Sequence, residues 1–193
     1  MSLFRFPGAY VWECTLPNHE DIKARILPKI IEEAEEHVED EDYKWSPEVS
    51  TSVITNFGGG RFDPLRLFTK EDIASIALKP TRELMDQAGI GTFAKDYDLR
   101  AFWWNRYGKG STAPPHVHAA GISGVYLLEQ TERCPLEFQT LNPYTPNPDH
   151  PAVNYRPEAE EGTVLLFPGS LLHWVYPTVG PRTTVSFNLG CVP

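Results

Sequence analysis

Three histidines in the C-terminal half of the sequence are spaced as ligands of one metal ion. His116 and His118 form an H-x-H pair, and His173 lies in an otherwise apolar stretch. Alternate residues of a β-strand point to the same face, so both imidazoles of the pair can reach one ion. Burying imidazoles without partners is unfavourable, whereas a divalent ion satisfies all three. Three protein ligands that leave positions open are typical of a catalytic metal rather than a closed structural one.

The H-x-H spacing is not specific by itself. With six histidines in 193 residues, chance produces it in roughly one chain in five, and a lone buried histidine is more often a hydrogen-bonded core residue than a ligand. His19, His37 and His150 lie among polar or acidic residues and are expected at the surface. The metal hypothesis therefore depends on His173 meeting the pair across neighbouring strands.

An arginine nine residues after His173 indicates a site for a carboxylate. It begins a predicted strand with one polar and one nearly apolar face. A guanidinium that faces a polar cavity beside a hydroxyl is a bidentate clamp for a carboxylate; a polar strand face in solvent is the alternative. The polar face comprises Arg182, Thr184, Ser186 and Asn188, and the other comprises Thr183, Val185, Phe187 and Leu189.

The distribution of proline predicts which elements carry these residues. Twelve of the 18 prolines lie at or after Pro114, and proline inside a helix removes a hydrogen bond and clashes with the preceding turn. The C-terminal half is therefore predicted to form short strands joined by loops, with a long surface loop at 141–157. The predicted strands are residues 99–107, 124–128, 136–139, 163–167, 171–176 and 183–189.

The N-terminal half begins with a β-prone stretch, residues 4–14, interrupted at Pro7-Gly8. Apolar residues then recur every four positions from Ile22 to Val38, which predicts an amphipathic helix. Pro28 is expected to kink this helix or to mark a restart. The acidic stretch at its end, residues 32–42, is expected to be solvated.

Further helices are predicted before the C-terminal strands begin. A strand is expected at 50–57 and a glycine turn at 58–60. Thr69 and Asp72 form a capping-box pattern that opens a helix, and a new helix is expected to start at Pro80. Helices followed by short strands predict an α+β, mainly β fold, an antiparallel sandwich or jelly roll with N-terminal helices packed on it.

Composition excludes several classes of function. The chain has 17 Lys and Arg against 26 Asp and Glu, a net charge of -9, which disfavours nucleic acid as a partner. There is no apolar run of transmembrane length and no pattern of a signal peptide. The three cysteines are far apart and odd in number, so reduced thiols and a cytoplasmic location are expected.

In their order along the chain, these motifs resemble the Fe(II)- and 2-oxoglutarate-dependent dioxygenases of the double-stranded β-helix (jelly-roll) fold. The family pattern of H-x-D/E, a distal histidine and R-x-S/T reads here as His116-x-His118, His173 and Arg182-x-Thr184. Upstream, the segment 105–107 resembles an N-x-Y strand of the alkylation-repair branch. Segments 123–128, 162–168 and 186–188 resemble a little-characterised bacterial and phage branch. The resemblance covers residues 99–190.

The resemblance implies a ligand set and a reaction. Three histidines, His116, His118 and His173, would hold Fe(II), with His118 in place of the family's usual carboxylate. 2-Oxoglutarate would chelate the iron, and its far carboxylate would pair with Arg182, helped by Thr184, Asn105 and Tyr107. With O2, the products would be succinate, CO2 and a hydroxylated small-molecule or peptidyl substrate. Tryptophans that could wall the site are Trp103, Trp104 and Trp174.

The whole chain, 1–193, is expected to form a single domain, with a strand and helical support region at 1–97 and a metal-binding jelly-roll core at 98–193. Two other functions remain open. A cupin would share the fold and metal but not the cosubstrate, although the cupin glutamate is absent after His118. A non-catalytic binding module would leave the histidines inert. The substrate and a homodimeric state are also open.

Overall fold

The structure is a computed structural model that describes residues 2–6, 9–44, 53–57, 63–88, 96–141 and 152–192. Its described strands are β1 (Ser2–Phe6), β2 (Ala9–Thr15), β3 (Val53–Thr55), β4 (Asp96–Tyr107), β5 (Ala113–His116), β6 (Ile122–Gln130), β7 (Leu136–Leu141), β8 (Ala152–Tyr155), β9 (Thr163–Pro168), β10 (Leu172–Val175) and β11 (Arg182–Val192). The α-helices are α1 (His19–Glu36), α2 (Lys70–Ile73) and α3 (Lys79–Ala88).

The described strands form two antiparallel sheets. The larger sheet has seven strands in the order β1-β2-β9-β6-β11-β4-β3, and the smaller has four in the order β5-β10-β7-β8. Strands β1, β2 and β3 from the predicted support region lie at the two edges of the larger sheet, where they pair with β9 and β4. The predicted mainly β jelly roll with N-terminal helices is confirmed.

Residues of the larger sheet alternate between two hydrophobic cores. One face packs against the helices, with Trp104, Tyr126 and Val185 among its buried side chains. The other face packs against the smaller sheet, through residues such as Leu127 and Leu165. Successive residues of a strand point to opposite faces. The apolar residues of β11 are therefore held against the helices, which turns its polar residues towards the space between the sheets.

Helix α1 carries the predicted apolar stripe. Ile22, Ile26 and Ile30 are fully buried against the larger sheet. The helix continues through Pro28, so the predicted restart does not occur. Pro28 lies on the exposed face, where water can bond the carbonyl oxygen that the missing proline N–H leaves free.

The predicted capping box at Thr69 is present. The Thr69 hydroxyl accepts a hydrogen bond from the Asp72 N–H at 3.1 Å, and the Asp72 carboxylate accepts one from the Thr69 N–H at 2.9 Å. The expected new helix at Pro80 is not separate. A π-helical segment, Ala74–Leu78, joins α2 to α3 without a break, and Pro80 is the second residue of α3.

All six strands predicted in the C-terminal half are present, with ends that differ by a few residues, and β5 and β8 are additional. Cys14 and Cys134 are free and buried. The predicted glycine turn at 58–60 and the predicted surface residue His150 lie outside the described residues. In the part of the chain that is described, no helix is both long and apolar enough to span a membrane.

The expectation that His19 lies at the surface is wrong. His19 is the first residue of α1 and is only 8% exposed. Its Nδ1 lies 2.6 Å from the Tyr126 hydroxyl, and its Nε2 lies 3.3 Å from Glu161 Oε1. The ring faces the sheet because the first turn of α1 packs over β6. His37 is half-buried and stacks on Tyr43, with ring centroids 3.9 Å apart.

Candidate active site

Three imidazoles converge at one end of the smaller sheet. Strands β5 and β10 are neighbours, and their pairing places His116 directly opposite His173. The ring of His118 lies 5.1 Å from each of the other two, between centroids. One ligand atom from each residue lies within 4.8 Å of the others. The structure therefore brings together the three histidines that the sequence pattern selected.

His118 reaches this cluster from a loop rather than from a strand. Strand β5 ends at His116, so the H-x-H pair does not lie on one continuous strand as predicted. The His118 N–H instead donates a hydrogen bond to the Gly169 carbonyl at 2.8 Å. At Gly169 an added Cβ would lie 2.3 Å from the Ala120 carbonyl oxygen. Close contact between two loops thus sets the position of His118.

Main-chain carbonyls orient two of the three rings. His116 Nδ1 lies 2.8 Å from the Pro114 carbonyl oxygen, and His173 Nδ1 lies 2.8 Å from that of Leu171. A carbonyl oxygen can only accept, so each Nδ1 carries the hydrogen and each Nε2 keeps a lone pair. This is the arrangement in which metal-binding histidines are commonly held.

Burial keeps the three imidazoles neutral. Desolvation lowers the pKa of His116, and lowers that of His118 to about 4 with a further contribution from His116. It lowers the pKa of His173 to about 3, and the neighbouring His116 adds to the effect. Each pKa lies below the ordinary 6.5, so all three rings are neutral at pH 7. Neutral imidazole is the form that binds a metal ion.

The spacing of the nitrogen atoms fits a shared ion. His118 Nε2 and His173 Nε2 are 3.3 Å apart. Two ligands bound at ~2.1 Å and at right angles to each other lie about 3 Å apart. Imidazole nitrogens suit iron, zinc, copper and nickel in their divalent states. The residues present therefore fit a first-row divalent metal with open coordination positions.

A buried arginine lies in the same cavity as the histidines. Strands β4 and β11 pair so that Asn105 lies opposite Thr184 and Tyr107 lies opposite Arg182. Arg182 is 1% exposed, and its Cζ lies 4.8 Å from the centre of the Tyr107 ring. Asn105 Nδ2 donates to Ser186 Oγ at 3.1 Å and to Thr184 Oγ1 at 3.4 Å. All four predicted cosubstrate residues therefore lie together on two paired strands.

The Arg182 guanidinium has unsatisfied hydrogen-bond donors. Its Nε and Nη1 are buried and have no partner among the described residues, and neither has the Asn105 Oδ1. A buried cation without a partner is strongly destabilising. Burial raises the pKa of Tyr107 despite the opposing charge of Arg182, so its phenol stays neutral and can donate. These groups fit a carboxylate, which would accept from the guanidinium in a bidentate manner.

Of the three tryptophans predicted as walls, only Trp103 lines the cavity. Its ring lies 5.8 Å from that of His118, and Phe57 packs on it at 4.6 Å, between ring centroids. Trp104 points to the other face of β4 and is buried against the helices. Trp174 is not among the lining residues, because it alternates with the inward-facing His173 along β10.

Two polar residues beside the histidine cluster, Ser123 and Asn188, have no role predicted from the sequence. Asn188 Nδ2 lies 3.4 Å from His118 Nδ1, and Asn188 Oδ1 accepts a hydrogen bond from Ser123 Oγ at 2.8 Å. The alternation of polar and apolar residues along β11 predicts that Asn188 lies on the same face as Arg182, and this is the sequence feature that points to it. Its contact with His118 could not be predicted, because it depends on where the loop after β5 lies.

Comparison with known families gives a match over the part of the chain that carries the site. Residues 101–188 match a family described as "Putative 2OG-Fe(II) oxygenase", and all seven predicted site residues lie within that range. No curated protein sequence matches the chain.

Solved structures share the fold at low sequence identity. A prolyl-4-hydroxylase of Pseudomonas putida matches with a TM-score of 0.62 and 12% identity, over 94% of this chain and 92% of that one. A viral collagen prolyl hydroxylase of Paramecium Bursaria Chlorella virus-1, in complex with 2OG, matches with a TM-score of 0.56 and 16% identity, over 96% and 98%. AviO1 of Streptomyces viridochromogenes Tue57 matches with a TM-score of 0.59 and 12% identity, over 95% and 91%.

These findings confirm the predicted resemblance to the 2OG-Fe(II) oxygenases. The match to putative 2OG-Fe(II) oxygenases covers residues 101–188, slightly less than half of the chain, and agrees with the expectation of an oxygenase. The solved structures support the same jelly-roll fold.

Proposed function

We propose that this protein, through its match to the 2OG-Fe(II) oxygenases, hydroxylates a C–H bond of a small-molecule or peptidyl substrate while 2-oxoglutarate and O2 are converted to succinate and CO2. One observation carries the proposal. A buried arginine, with two donor nitrogens that have no partner in the described part of the chain, shares a cavity with three converging neutral imidazoles. The imidazoles fit the metal, and the guanidinium fits an anion that must reach deep between the sheets.

Each side chain has a separate task in this proposal. His116, His118 and His173 hold Fe(II) through their Nε2 atoms. Arg182 pairs with the far carboxylate of 2-oxoglutarate, and Thr184 donates its hydroxyl beside it. Bound Fe(II), with the keto acid and O2, supplies the oxidising chemistry, and the protein positions the partners and excludes water.

The charges of the site complement those of the cosubstrate. The guanidinium lies between the sheets, so a carboxylate that reaches it leaves water and meets donors that are already in place. Asn105 and Tyr107, on the neighbouring strand β4, add an amide and a neutral phenol near the same point. A cupin-type enzyme without 2-oxoglutarate would leave the Arg182 donors without a function.

The test is an anaerobic titration of Fe(II) into the protein with and without 2-oxoglutarate, in which the weak visible charge-transfer band of the chelate is measured. We expect Arg182→Gln to weaken the affinity for 2-oxoglutarate by roughly 10- to 100-fold, because hydrogen bonds to charged groups contribute ~1.5–3 kcal/mol. The affinity for Fe(II) should stay within about threefold, since Arg182 is not a proposed ligand of the metal.

The matched control is Arg133→Gln, which changes an exposed arginine paired with Glu158 on the surface and should leave both affinities unchanged. Succinate formation should accompany turnover of a true substrate. Fe(II) binding without any chelate band would contradict the proposal and favour a cupin-type protein. Absence of Fe(II) binding, with indifference to His173→Ala, would favour a non-catalytic binding module.

A further inference from the structure

A chain of hydrogen bonds leads from the larger sheet to the metal cluster. Ser123 on β6 pairs with Asn188 on β11, and the Ser123 hydroxyl donates to Asn188 Oδ1 at 2.8 Å. Asn188 Nδ2 lies 3.4 Å from His118 Nδ1. At the far side of the same ring, His118 Nε2 lies 3.3 Å from His173 Nε2. Four side chains are thus linked in sequence, and none of these contacts involves the main chain.

His118 differs from the other two imidazoles in what orients it. The Nδ1 atoms of His116 and His173 face main-chain carbonyl oxygens, which accept and never donate. The Nδ1 of His118 faces a side-chain amide. An amide presents either an oxygen or an NH2 group after a half-turn about its terminal torsion. His118 is therefore the one ligand of the three whose tautomer is not fixed by the main chain.

In the direction that these contacts give, the hydrogen bonds run through side chains alone. Ser123 donates to Asn188, and the Asn188 NH2 donates to His118 Nδ1. The hydrogen of His118 must then be on Nε2, where it can be donated to His173 Nε2. That atom is an acceptor, since Leu171 holds the hydrogen of His173 on Nδ1. We expect this direction, with a hydrogen bond between His118 and His173 across the position of the metal, in the protein without metal.

Metal binding requires the hydrogen bonds between Ser123, Asn188 and His118 to be donated in the opposite direction. Ligation through Nε2 leaves the hydrogen of His118 on Nδ1, which then needs an acceptor. Turning the Asn188 amide supplies Oδ1 to that N–H and directs its NH2 group to the Ser123 oxygen. The serine hydroxyl serves in both states because it can donate or accept. No proton is gained or lost by the three side chains in this exchange.

We infer that Asn188 is a positioning residue whose amide reverses the hydrogen-bond chain Ser123–Asn188–His118 when the metal binds, and so selects the tautomer of His118 that can ligate. The inference rests on the metal site of the proposed function. It assigns to Asn188 a role that the main chain performs for the other two ligands. It also explains how the cluster stays ordered before metal arrives.

The tautomers are measured directly by long-range 1H–15N correlation spectra of the imidazoles, without metal and with Zn(II) as a diamagnetic probe. In the metal-free protein we expect the hydrogen of His118 on Nε2, and those of His116 and His173 on Nδ1. With Zn(II) bound, all three hydrogens should be on Nδ1. A metal-free His118 that already carries its hydrogen on Nδ1 would overturn the inference.

Zn(II) affinity provides a second readout that does not depend on activity. Asn188→Ala should weaken Zn(II) binding roughly 10- to 100-fold, as loss of a hydrogen-bond partner of a metal ligand typically does. Asn188→Asp should retain the affinity or raise it, because a carboxylate always accepts. The control Asn154→Ala removes an exposed asparagine of β8 bonded to Gln139 and Glu137 and should have no effect.

The outcomes separate this inference from the proposed function. If Asn188→Ala binds Zn(II) as tightly as the unaltered protein while His173→Ala does not, the inference fails and the metal site stands. If neither the unaltered protein nor any variant binds Zn(II) or Fe(II), the metal site fails and the inference with it. Circular dichroism and the unfolding temperature of each variant show whether it folds.

Discussion

At the scale of single residues, the replacement of the usual carboxylate ligand by His118 changes the charge of the site. Three neutral imidazoles leave the full double positive charge of a divalent ion uncompensated, and Arg182 adds another positive charge in the same cavity. 2-Oxoglutarate carries two negative charges. In the proposed function, such a site would bind this dianion without repulsion from a ligand carboxylate. Three neutral imidazoles also attract the metal ion less strongly than a ligand set that includes a carboxylate.

Gly169 connects the position of His118 to the turn that follows β9. A Cβ at residue 169 would lie 2.3 Å from the Ala120 carbonyl oxygen and 3.0 Å from that of His118. We predict that Gly169→Ala shifts the loop that carries His118 and weakens Zn(II) affinity by roughly tenfold or more, comparable with the loss of a partner of a metal ligand. Competition titration with a metal-sensitive dye measures this.

Gly108→Ala is the matched control for Gly169→Ala. Its added Cβ would meet only Ser111 Oγ at 3.7 Å, an ordinary contact, and Gly108 has no positive φ. Its Zn(II) affinity should equal that of the unaltered protein. Equal affinities for Gly169→Ala and Gly108→Ala, both folded, would show that the two loops do not set the geometry of the cluster.

The approach of His116 and His173 could be predicted from sequence because it needs only one pairing of neighbouring strands. His118 was selected for the wrong reason, since it reaches the cluster from the loop after β5 and not by alternation along a strand. The buried arginine followed from the same alternation along β11. His19 could not be predicted, since polar neighbours in sequence do not reveal that the start of α1 faces the sheet. Asn188 could be placed on the correct face, but its partner depends on a loop.

At the scale of elements, the pairing of β4 with β11 is the scaffold of the cosubstrate pocket. Four of the seven predicted site residues lie on these two strands, two on each, in directly opposed pairs. The strands lie inside the larger sheet, with β3 and β6 on their outer sides. A central strand has both rows of hydrogen bonds satisfied, so its side chains are held more precisely than those of a loop.

The ion pair between Arg25 and Asp72 joins α1 to the start of α2. Arg25 donates from Nη2 to Asp72 Oδ1 at 2.7 Å and from Nη1 to Oδ2 at 3.2 Å. Asp72 is 3% exposed. We predict that Arg25→Met lowers the free energy of unfolding by about 1–2 kcal/mol at pH 7, less than for a fully buried pair because Arg25 is partly exposed. Urea denaturation measures it.

The contribution of the Arg25–Asp72 ion pair to the free energy of unfolding depends on pH. Burial alone would raise the pKa of Asp72, but hydrogen bonds from Arg25 and Thr69 outweigh it and lower the pKa below the ordinary 3.8. The stabilisation is therefore present above pH 3.8 and is lost as the pH falls through the folded-state pKa. The difference in free energy of unfolding between the unaltered protein and Arg25→Met should therefore become smaller at low pH. Lys79→Met, which removes an exposed pair with Glu71, should cost little; an equal cost would contradict the prediction.

The two strands missed by the sequence analysis are short and atypical. Strand β5 contains Pro114 and Pro115, which argue against a strand, yet proline is tolerated at an edge where no partner needs its N–H. β5 is an edge strand of the smaller sheet. Strand β8 lies within the predicted proline-rich loop and pairs with β7 alone. Both segments form strands because a neighbouring strand pairs with them, and not because of the β-strand propensity of their own residues.

At the scale of the whole molecule, the larger sheet packs against helices on one face and carries the candidate site on the other. Its outer face is covered by α1 and α3, which contact β4, β6 and β9. Its inner face carries the arginine and packs on the smaller sheet, which brings two of the histidines. The described part of the N-terminal half therefore supports the site from behind, adds Val11 and Val53 to the core between the sheets, and places Phe57 against Trp103 of the cavity wall.

Because the three histidines come from β5, the loop after it and β10, a bound metal should stabilise the folded molecule. Zn(II) at 100 times its dissociation constant should add ~2.7 kcal/mol to the free energy of unfolding. For a chain of this length, that raises the unfolding temperature by roughly 5–10 °C. Differential scanning fluorimetry with and without EDTA measures the shift. His173→Ala should abolish it, and His37→Ala, outside the cluster, should retain it.

The same measurement at lower pH tests whether the imidazoles are buried as described. The pKa values of His118 and His173 are lowered to about 4 and about 3, so at pH 5.5 the folded protein still offers neutral ligands, and the shift caused by Zn(II) should persist. The metal-free protein itself should lose stability as the pH falls below 6.5, because the unfolded state then takes up protons that the folded state refuses. The opposite outcome is that the rise in unfolding temperature caused by Zn(II) disappears as the pH falls through 6.5. The histidines of the folded protein would then take up protons as readily as those of the unfolded chain, and they would not form a buried metal cluster.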